Sequence, residues 1–418
     1  MNNNIKIENV KARSIFDSRG TRTIEVDVFT NHHFGTAQSP SGASTGLNEV
    51  ISYPRGGIEE AIKLVNEKIA PILKGIDVEK QAEVDAILHQ IDGTNNFEHL
   101  GGNTSIAISI AVCKAAASSR NKLMFEQLSG NFELTLPVPL GNVLGGGKHA
   151  GTKAPDIQEF LVLPVNAQSF SEAAWANINV HKRIRKILES VDSTFTAGKS
   201  DEGAWAPNLT NEKALDVVSK ASEEISNELG VIIRVGLDIA SSSLWDMKKN
   251  SYLYLRDGKT RSPEEQIDYV VDLIKTHKLI YVEDPLHEED FQGFAELTKK
   301  TNSCFICGDD LFTTNAERLR KGAKIKAGNA IIIKPNQVGT LTETFETVKL
   351  AKSVGYAPIV SHRSGEACDT YLSHLAVGFN CPIIKAGVVG GERIAKINEL
   401  LRIEEFLGKK VKIAKVNN

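Results

Sequence analysis

Five apolar runs in the second half of the chain each end in a charged residue: Val235-Gly-Leu-Asp238, Ile280-Tyr-Val-Glu283, Phe305-Ile-Cys-Gly-Asp309, Ile331-Ile-Ile-Lys334 and Ile383-Ile-Lys385. Asp238, Glu283 and Asp309 offer hard oxygen ligands with no thiolate or imidazole immediately beside them, the preference of Mg2+ rather than zinc. Three converging carboxylates also need a cation. Lys334 follows on the next run, where the metal and Lys385 are expected to favour its neutral amine. A lysine of lowered pKa can act as a general base. Any one of these charges alone reads equally well as a strand end meeting solvent. Three acids in succession, then a lysine, form an ordered group, and it points to metal-assisted proton abstraction.

That chemistry requires the five tips to share one rim. A continuous apolar run of four or five residues suits a strand buried on both faces, and helical patterns separate these runs, so parallel strands are expected. In an eight-stranded α/β barrel, residues from the ends of several strands gather at the C-terminal rim. The intervening helices are well marked. After Asp257, Ser262 can cap, Pro263 suits the first turn, Glu265 completes a capping box, and Ile267, Val270, Val271 and Ile274 form the buried stripe. Another helix begins near Thr340, with Glu343 three residues on and Leu341, Phe345 and Val348 expected to face inward.

Upstream, residues 4–40 read as a small antiparallel unit in which Ile24, Val26 and Val28 alternate with Glu25 and Asp27 after the turn Asp17-Ser-Arg-Gly20. The pattern becomes helical after Gly57, with Ile58, Ile62, Val65 and Ile69 on one stripe, and again near 79–91 and 103–119. Residues 134–147, with two prolines and a Gly-Gly-Gly run, read as a crossover. The expected architecture is therefore an α/β (TIM-type) barrel, residues 127–418, preceded by a smaller α+β capping domain, residues 1–126.

Composition sets outer limits. A chain of 418 residues, 41% hydrophobic and 24% charged, is an ordinary globular protein with room for a barrel and a second domain. A formal net charge of −3 gives no global attraction to nucleic acid or an anionic membrane. The first residues, Met-Asn-Asn-Asn-Ile-Lys-Ile-Glu-Asn, lack an apolar core of secretory type, and no apolar stretch approaches the roughly 20 residues that span a bilayer. A cytoplasmic protein is expected. Cysteines 113, 304, 307, 368 and 381 are odd in number and scattered, so reduced thiols are expected, and Cys304-x-x-Cys307 lacks the second pair of a zinc site.

Three loops add polar chemistry. Ser361-His-Arg-Ser-Gly365 offers a guanidinium, hydroxyls and backbone donors, a cradle for phosphate. Lys199-Ser-Asp-Glu-Gly-Ala-Trp-Ala-Pro-Asn208 places acids in a turn-forming segment. Ser39-Pro-Ser-Gly-Ala-Ser-Thr-Gly46 has the small, glycine-punctuated make-up of a lid or of a plain connection.

With these residues assembled, the sequence resembles the enolases, the phosphopyruvate hydratases of glycolysis, over nearly its whole length. Asp17-Ser-Arg-Gly20, Pro40-Ser-Gly-Ala-Ser-Thr-Gly46, His149-Ala-Gly151, Gln158-Glu159, Asp201-Glu-Gly203, Glu283-Asp-Pro285, Gly308-Asp-Asp-Leu311, Asn336-Gln-Val-Gly-Thr-Leu341, Ser361-His-Arg-Ser-Gly-Glu366 and Leu401-Arg-Ile-Glu-Glu405 occur in family order. The resemblance implies reversible dehydration of 2-phospho-D-glycerate to phosphoenolpyruvate with two Mg2+ ions per site. It implies Lys334 as base at carbon 2, Glu202 as acid for the departing hydroxyl, Glu159 supporting Glu202, and His149 beside the leaving group. Asp238, Glu283 and Asp309 match the ligands of the first ion and Ser44 a ligand of the second. Lys385 matches the lysine at the substrate carboxylate, Arg363 and Ser364 the phosphate grip, and His362 and Gln158 adjoining substrate contacts. A lysine base with Mg2+ is the pattern the enolase superfamily is known for.

Several positions depart from the best-known members: Arg22 after the Asp-Ser-Arg-Gly turn, Ala204-Trp205 after the Glu202 motif, Ala367-Cys368, and Gly387-Val-Val-Gly-Gly391 after Lys385. None removes a catalytic side chain; several, with the short segment after Glu49, resemble the archaeal branch, and the Cys368 change bears on a subunit contact or a helix N-terminus. A homodimer or higher homo-oligomer acting on a small molecule is expected. An acid-sugar dehydratase or cycloisomerase of the same superfamily commonly carries a Lys-x-Lys base on an early barrel strand. Here Lys324-Ile-Lys326 reads as a loop before a strand, and Phe160-Leu-Val-Leu-Pro164 has no lysine.

Overall fold

Alternation in the first forty residues becomes a three-stranded antiparallel meander in the structure, a computed structural model that describes residues 5–42, 46–130, 133–301 and 303–416. Its strands are β1 (Asn9–Phe16), β2 (Arg22–Phe29) and β3 (Phe34–Gln38). Ile24, Val26 and Val28 are fully buried on one face, while Arg13 on β1 pairs with both Glu25 and Asp27 on the other. The buried face rests on the helix Gly102–Ser119, which is buried almost all round. Ser41 and Gly365 exchange backbone hydrogen bonds of 2.7 and 2.8 Å, which ties this unit to the loop after the strand Ala357–Ser361. Ser44 lies outside the described residues.

A two-residue strand, β4 (Thr135–Leu136), pairs with the C-terminal β16 (Lys412–Ile413). Eight strands then close a barrel: β5 (Val138–Gly145), β6 (Glu159–Pro164), β7 (Ile233–Asp238), β11 (Tyr281–Glu283), β12 (Phe305–Gly308), β13 (Ala330–Ile333), β14 (Ala357–Ser361) and β15 (Ile383–Gly387). The short β8 (Trp245–Asp246), β9 (Ser251–Tyr254) and β10 (Lys259–Arg261) form a separate sheet after β7. Around the barrel the order is β11, β12, β13, β14, β15, β5, β6, β7.

Two sequence expectations change here. Residues 134–147, read as a crossover, supply β5, every residue of which is buried. Pro137 precedes this strand and Pro139 stands near its start, where a missing donor is tolerated. The barrel is also not all parallel, because β6 runs antiparallel to both β5 and β7. The connection from β5 to β6 holds a 3-10 turn at Gly147–His149 and no crossover helix, so the chain can only turn back. A reversed strand delivers its first residue to the rim where its neighbours deliver their last. Glu159 therefore stands level with Asp238 in register.

The helix Pro263–His277 has Ser262 as N-cap, the capping box with Glu265, and Ile267, Val270, Val271 and Ile274 buried, as its sequence dictates. In the helix Leu341–Ser353, Leu341, Thr344 and Val348 face inward, but Phe345 is 38% exposed and lies against Phe379 at 5.2 Å. At four residues from Leu341 it falls on the flank of the stripe. Lys324 and Ile325 form the last turn of the helix Ala316–Ile325, not a loop, and Lys326 caps it in the left-handed region, where lysines oppose the helix dipole. No helix of the described residues is long and apolar enough to cross a membrane.

The helix Phe170–Val191 anchors the 199–208 loop. His181 Nε2 donates to the Gly203 carbonyl at 3.0 Å, its ring stacks on Trp205 at 4.6 Å, and Trp205 Nε1 donates to the His181 carbonyl at 2.8 Å. Burial, the largest influence, pushes the His181 imidazole down to about 4 although the carbonyl opposes it. The unfolded chain binds this proton near pH 6.5, so stability is complete above that value and falls as pH drops toward about 4. We expect His181 to account for about 2 kcal/mol of destabilisation between pH 7 and pH 5. Denaturant unfolding of the protein and its His181→Gln variant at both pH values checks this; equal pH dependence in the two would refute it.

Candidate active site

The charged tips of the barrel strands gather at one cavity, four of the five lining it directly. Of the thirteen residues singled out from sequence, eleven line it: His149, Gln158, Glu159, Glu202, Asp238, Asp309, Lys334, His362, Arg363, Ser364 and Lys385. Glu283 lies beneath the lining, fully buried, and paired in register with Asp238. Gly42, Ala240, Asp284, Asp310 and Ser361 complete the wall.

Lys385, at the centre of β15, holds the acids together. Its Nζ lies 2.7 Å from Glu283 Oε2, 2.9 Å from Asp238 Oδ2 and 3.3 Å from Glu159 Oε2. Burial works against its charge, but the surrounding acids outweigh it and hold the ammonium well above its ordinary range. Glu283 nevertheless sits high, at about 8, because burial and Asp238 together exceed the help of Lys385. The two shifts are compatible: one cation shared among three acids is strongly stabilised by all of them and satisfies none fully.

Lys334 pairs with Asp309, whose other oxygen accepts from Gln337 Nε2 at 2.9 Å. The expectation of a lowered lysine is not met in this arrangement. Burial pushes Lys334 down, and Arg363 and Lys385 add to that, but contact with Asp309 and the field of Glu283 leave it raised. Asp309 is correspondingly lowered, Lys334 overcoming its burial. A close ion pair in a low-dielectric site outweighs like charges farther away. Next to Asp309, Asp284 adopts a left-handed φ of 40° and accepts the backbone N–H of Asp309 and of Asp310, each at 2.9 Å. Asp284 and Asp310 are both pushed well above the carboxylate range, first by burial and then by neighbouring acids.

Across the cavity, Glu202 is set between histidines. Its Oε2 accepts from Asn142 Nδ2 at 2.9 Å and lies 3.3 Å from His362 Nε2, and its Oε1 is 3.8 Å from His149 Nδ1. His149 Nδ1 is also 3.8 Å from Glu159 Oε1. The two carboxylates cannot both be charged at low cost. Burial and Glu202 drive Glu159 well above its ordinary value, while Glu202, despite burial, is held well below by His362, His149 and Arg393. The pair keeps one proton, on the Glu159 side.

Arg393 fixes the histidine. Fully buried, it donates to His362 Nδ1 at 2.8 Å, to the Arg363 and Ser364 carbonyls at 2.6 and 2.7 Å, and to the Asp201 carbonyl at 3.3 Å. A guanidinium only donates, so Nδ1 accepts and the ring proton belongs on Nε2, facing Glu202. Burial lowers His362 to about 4 against the pull of Glu202, and its Nε2 stands 3.3 Å from Glu202 Oε2. Lys396, one turn along the same helix (Gly391–Leu407), bonds Glu366 Oε2 at 2.8 Å, and Glu366 Oε1 takes the Arg363 N–H at 3.0 Å. The Arg363 guanidinium meets Glu49 Oε2 at 2.9 Å and Asn336 Oδ1 at 3.1 Å.

Sequence reasoning missed Arg393, Glu49 and Asn142. Arg393 and Lys396 left a signal, two cations at i, i+3 on a helix with Ile397 and Leu400 buried beside them. The departures after Lys385 also find a place here. A Cβ on Gly203 would lie 2.3 Å from the Val389 carbonyl and one on Gly387 2.5 Å from the Glu202 carbonyl, so the glycine-rich run lets two backbones touch behind the acid. Cys368 is exposed, while Cys113, Cys304, Cys307 and Cys381 are buried free thiols.

Among the described residues, two groups bring three donors within 4.8 Å of one another: His149, Glu159, Glu202, and Asp284, Asp309, Asp310. Asp238 and Glu283 belong to neither group: both pair with Lys385, while Asp309 pairs with Lys334.

Comparison with known proteins accounts for nearly the whole chain. The family model for the enolase N-terminal domain matches residues 7–128 and that for the enolase C-terminal TIM barrel domain residues 133–418. An enolase of Methanosphaera stadtmanae is 56% identical over 402 residues, covering 96% of this chain and 97% of its own. Enolases of Methanothermobacter thermautotrophicus and Pyrobaculum aerophilum are 52% and 44% identical, covering 96% and 99% of this chain and the same shares of their own. The chain belongs to the enolase family.

Proposed function

We propose that this protein catalyses the reversible, Mg2+-dependent dehydration of 2-phospho-D-glycerate to phosphoenolpyruvate and water. The observation that carries this reading is the placement of base and acid. In the barrel order, β13 and β6 are four strands apart in either direction, so Lys334 and Glu159, with Glu202 beside it, face each other across the cavity.

The site fits a divalent cation. Glu159, Glu202, Asp238, Asp284, Asp309 and Asp310 line the cavity against Lys334, Lys385 and Arg363, an excess of acidic oxygen donors over side-chain cations, and Glu283 Oε1 is buried with no hydrogen-bond partner in the chain. Asp238, Glu283 and Asp309 would hold one Mg2+, and Ser44 with the substrate a second. When bound, Mg2+ supplies positive charge against the negative charge that develops on the substrate carboxylate.

Arg363, Ser364 and the backbone of 361–365 grip the phosphate, with His362 and Gln158 alongside the substrate and Lys385 turned toward its carboxylate. Lys334, released from Asp309, takes the proton from carbon 2. The electron pair of that C–H bond becomes the carbon–carbon double bond as the hydroxyl leaves carbon 3. Glu159 passes the proton it holds to Glu202, which delivers it to the departing hydroxyl, and one water leaves. His149 stands where the water forms. Arg393 and Asn142 keep Glu202 aimed, the first through His362 and the second directly.

We also propose the division into residues 1–126 and 127–418, a cytoplasmic location in keeping with five unbridged cysteines, and a homodimer or larger homo-oligomer.

Purified protein given 2-phosphoglycerate should generate the ultraviolet absorbance of the enol phosphate only when Mg2+ is present; absence of a metal-dependent signal would sink the reading. Lys334→Ala should lose turnover, by at least the 100-fold typical of a general base, while still binding Mg2+ in calorimetry. Substantial remaining activity would place the base elsewhere.

A further inference from the structure

Tyr281 and Glu283 are two residues apart on β11, so both side chains point into the barrel, the phenol one layer below the acids. Tyr281 is fully buried, packed with the interior cluster that includes Leu161, Phe305 and Ile332. Its hydroxyl donates to Glu283 Oε2 at 2.6 Å, and Lys385 Nζ reaches the same oxygen at 2.7 Å. One oxygen thus takes two donors. The other, Oε1, is buried and takes none. With no donor from the chain, Oε1 is the oxygen left to meet a partner from outside it.

The neighbouring strand is shaped for this phenol. Gly236 on β7 stands opposite Tyr281 in register, and a Cβ there would lie 3.0 Å from Tyr281 Cβ and 3.3 Å from Cδ1. Two strands therefore cooperate to bring a hydroxyl under one carboxylate oxygen. An apolar side chain would fill the same space without donating a hydrogen bond.

We propose that Tyr281 is a positioning residue for the metal ligand Glu283, pinning Oε2 toward the barrel interior so that Oε1 is the oxygen presented to the cation. The inference rests on the Mg2+ reading above. A carboxylate turns about its last bond with little preference, and Lys385, shared with Asp238 and Glu159, does not by itself select an orientation. Donors behind a ligand commonly change metal affinity by about 10–100-fold.

The test uses the full-length protein, the variant Tyr281→Phe and inorganic Mg2+ without substrate. Titration calorimetry should show the Mg2+ dissociation constant of Tyr281→Phe raised by about 10–100-fold, with the metal-free thermal midpoint little changed and the Mg2+-induced rise in that midpoint reduced. The Mg2+ concentration giving half-maximal activity should rise likewise, with kcat largely recovered at saturation. Gly236→Ala, which keeps the hydroxyl but crowds the ring, should weaken Mg2+ in the same direction and serves if the first variant folds poorly. Wild-type Mg2+ affinity in both variants would overturn the proposal and leave the enolase reading standing. Failure of the wild-type protein to bind Mg2+ would overturn both.

Discussion

Buried like charge is the constraint on which this structure depends. Six carboxylates line a cavity with only three side-chain cations, and a seventh, Glu283, lies just below. Lys385 is the ammonium that makes the arrangement tolerable, since it touches three of the acids at once. A buried pair broken by loss of one partner typically costs about 3–5 kcal/mol, and here the loss would strand three acids. The same crowding that is costly to the fold is what makes the cavity attract a divalent cation. Stability and metal binding are therefore opposed at these residues, and the apolar barrel interior beneath them, with Leu140, Ile332 and Ile359 fully buried, must support the difference.

The acid side is governed by a quieter rule, that a buried polar group needs a defined partner. Arg393 is a fully buried cation that spends its donors on three carbonyls and one imidazole. This joins the loop carrying Glu202 to the loop carrying Arg363, so the groups proposed for proton donation and for phosphate binding share one support.

Much of this was legible in the chain. Five apolar runs with charged ends foretold the rim because buried parallel strands are continuously apolar and period counting is unaffected by distant contacts. The caps at Ser262 and Thr340 were equally plain, since a cap is a local contract between a hydroxyl and an amide three residues on. What escaped was non-local. Phe345 lost its inward place to Thr344 through a matter of helix phase, and β5 was hidden by prolines whose missing donors fall where the ladder does not need them. Lys334 is raised here because it pairs with Asp309, 25 residues away, a contact that sequence order does not reveal; the lowered amine was expected beside a bound metal. Arg393 was passed over because nothing local says that a helical arginine meets a histidine 31 residues away.

The reversal of β6 explains how acid and base come to lie on opposite walls. In an all-parallel barrel every strand offers its last residue to the rim, and Pro164 would have stood there. By turning back after β5, the chain offers Glu159 instead, level with Asp238 and within reach of Lys385. The connection that makes the turn carries His149 and Gln158 into the same wall. A helix in that connection would have buried more surface, but it would have removed these side chains from the cavity. The short return therefore places His149, Gln158 and Glu159 on the wall that also holds Glu202, four strands from Lys334. With β6 four strands from β13, a substrate between them meets a proton acceptor on one side and a donor on the other, which elimination across two adjacent carbons requires.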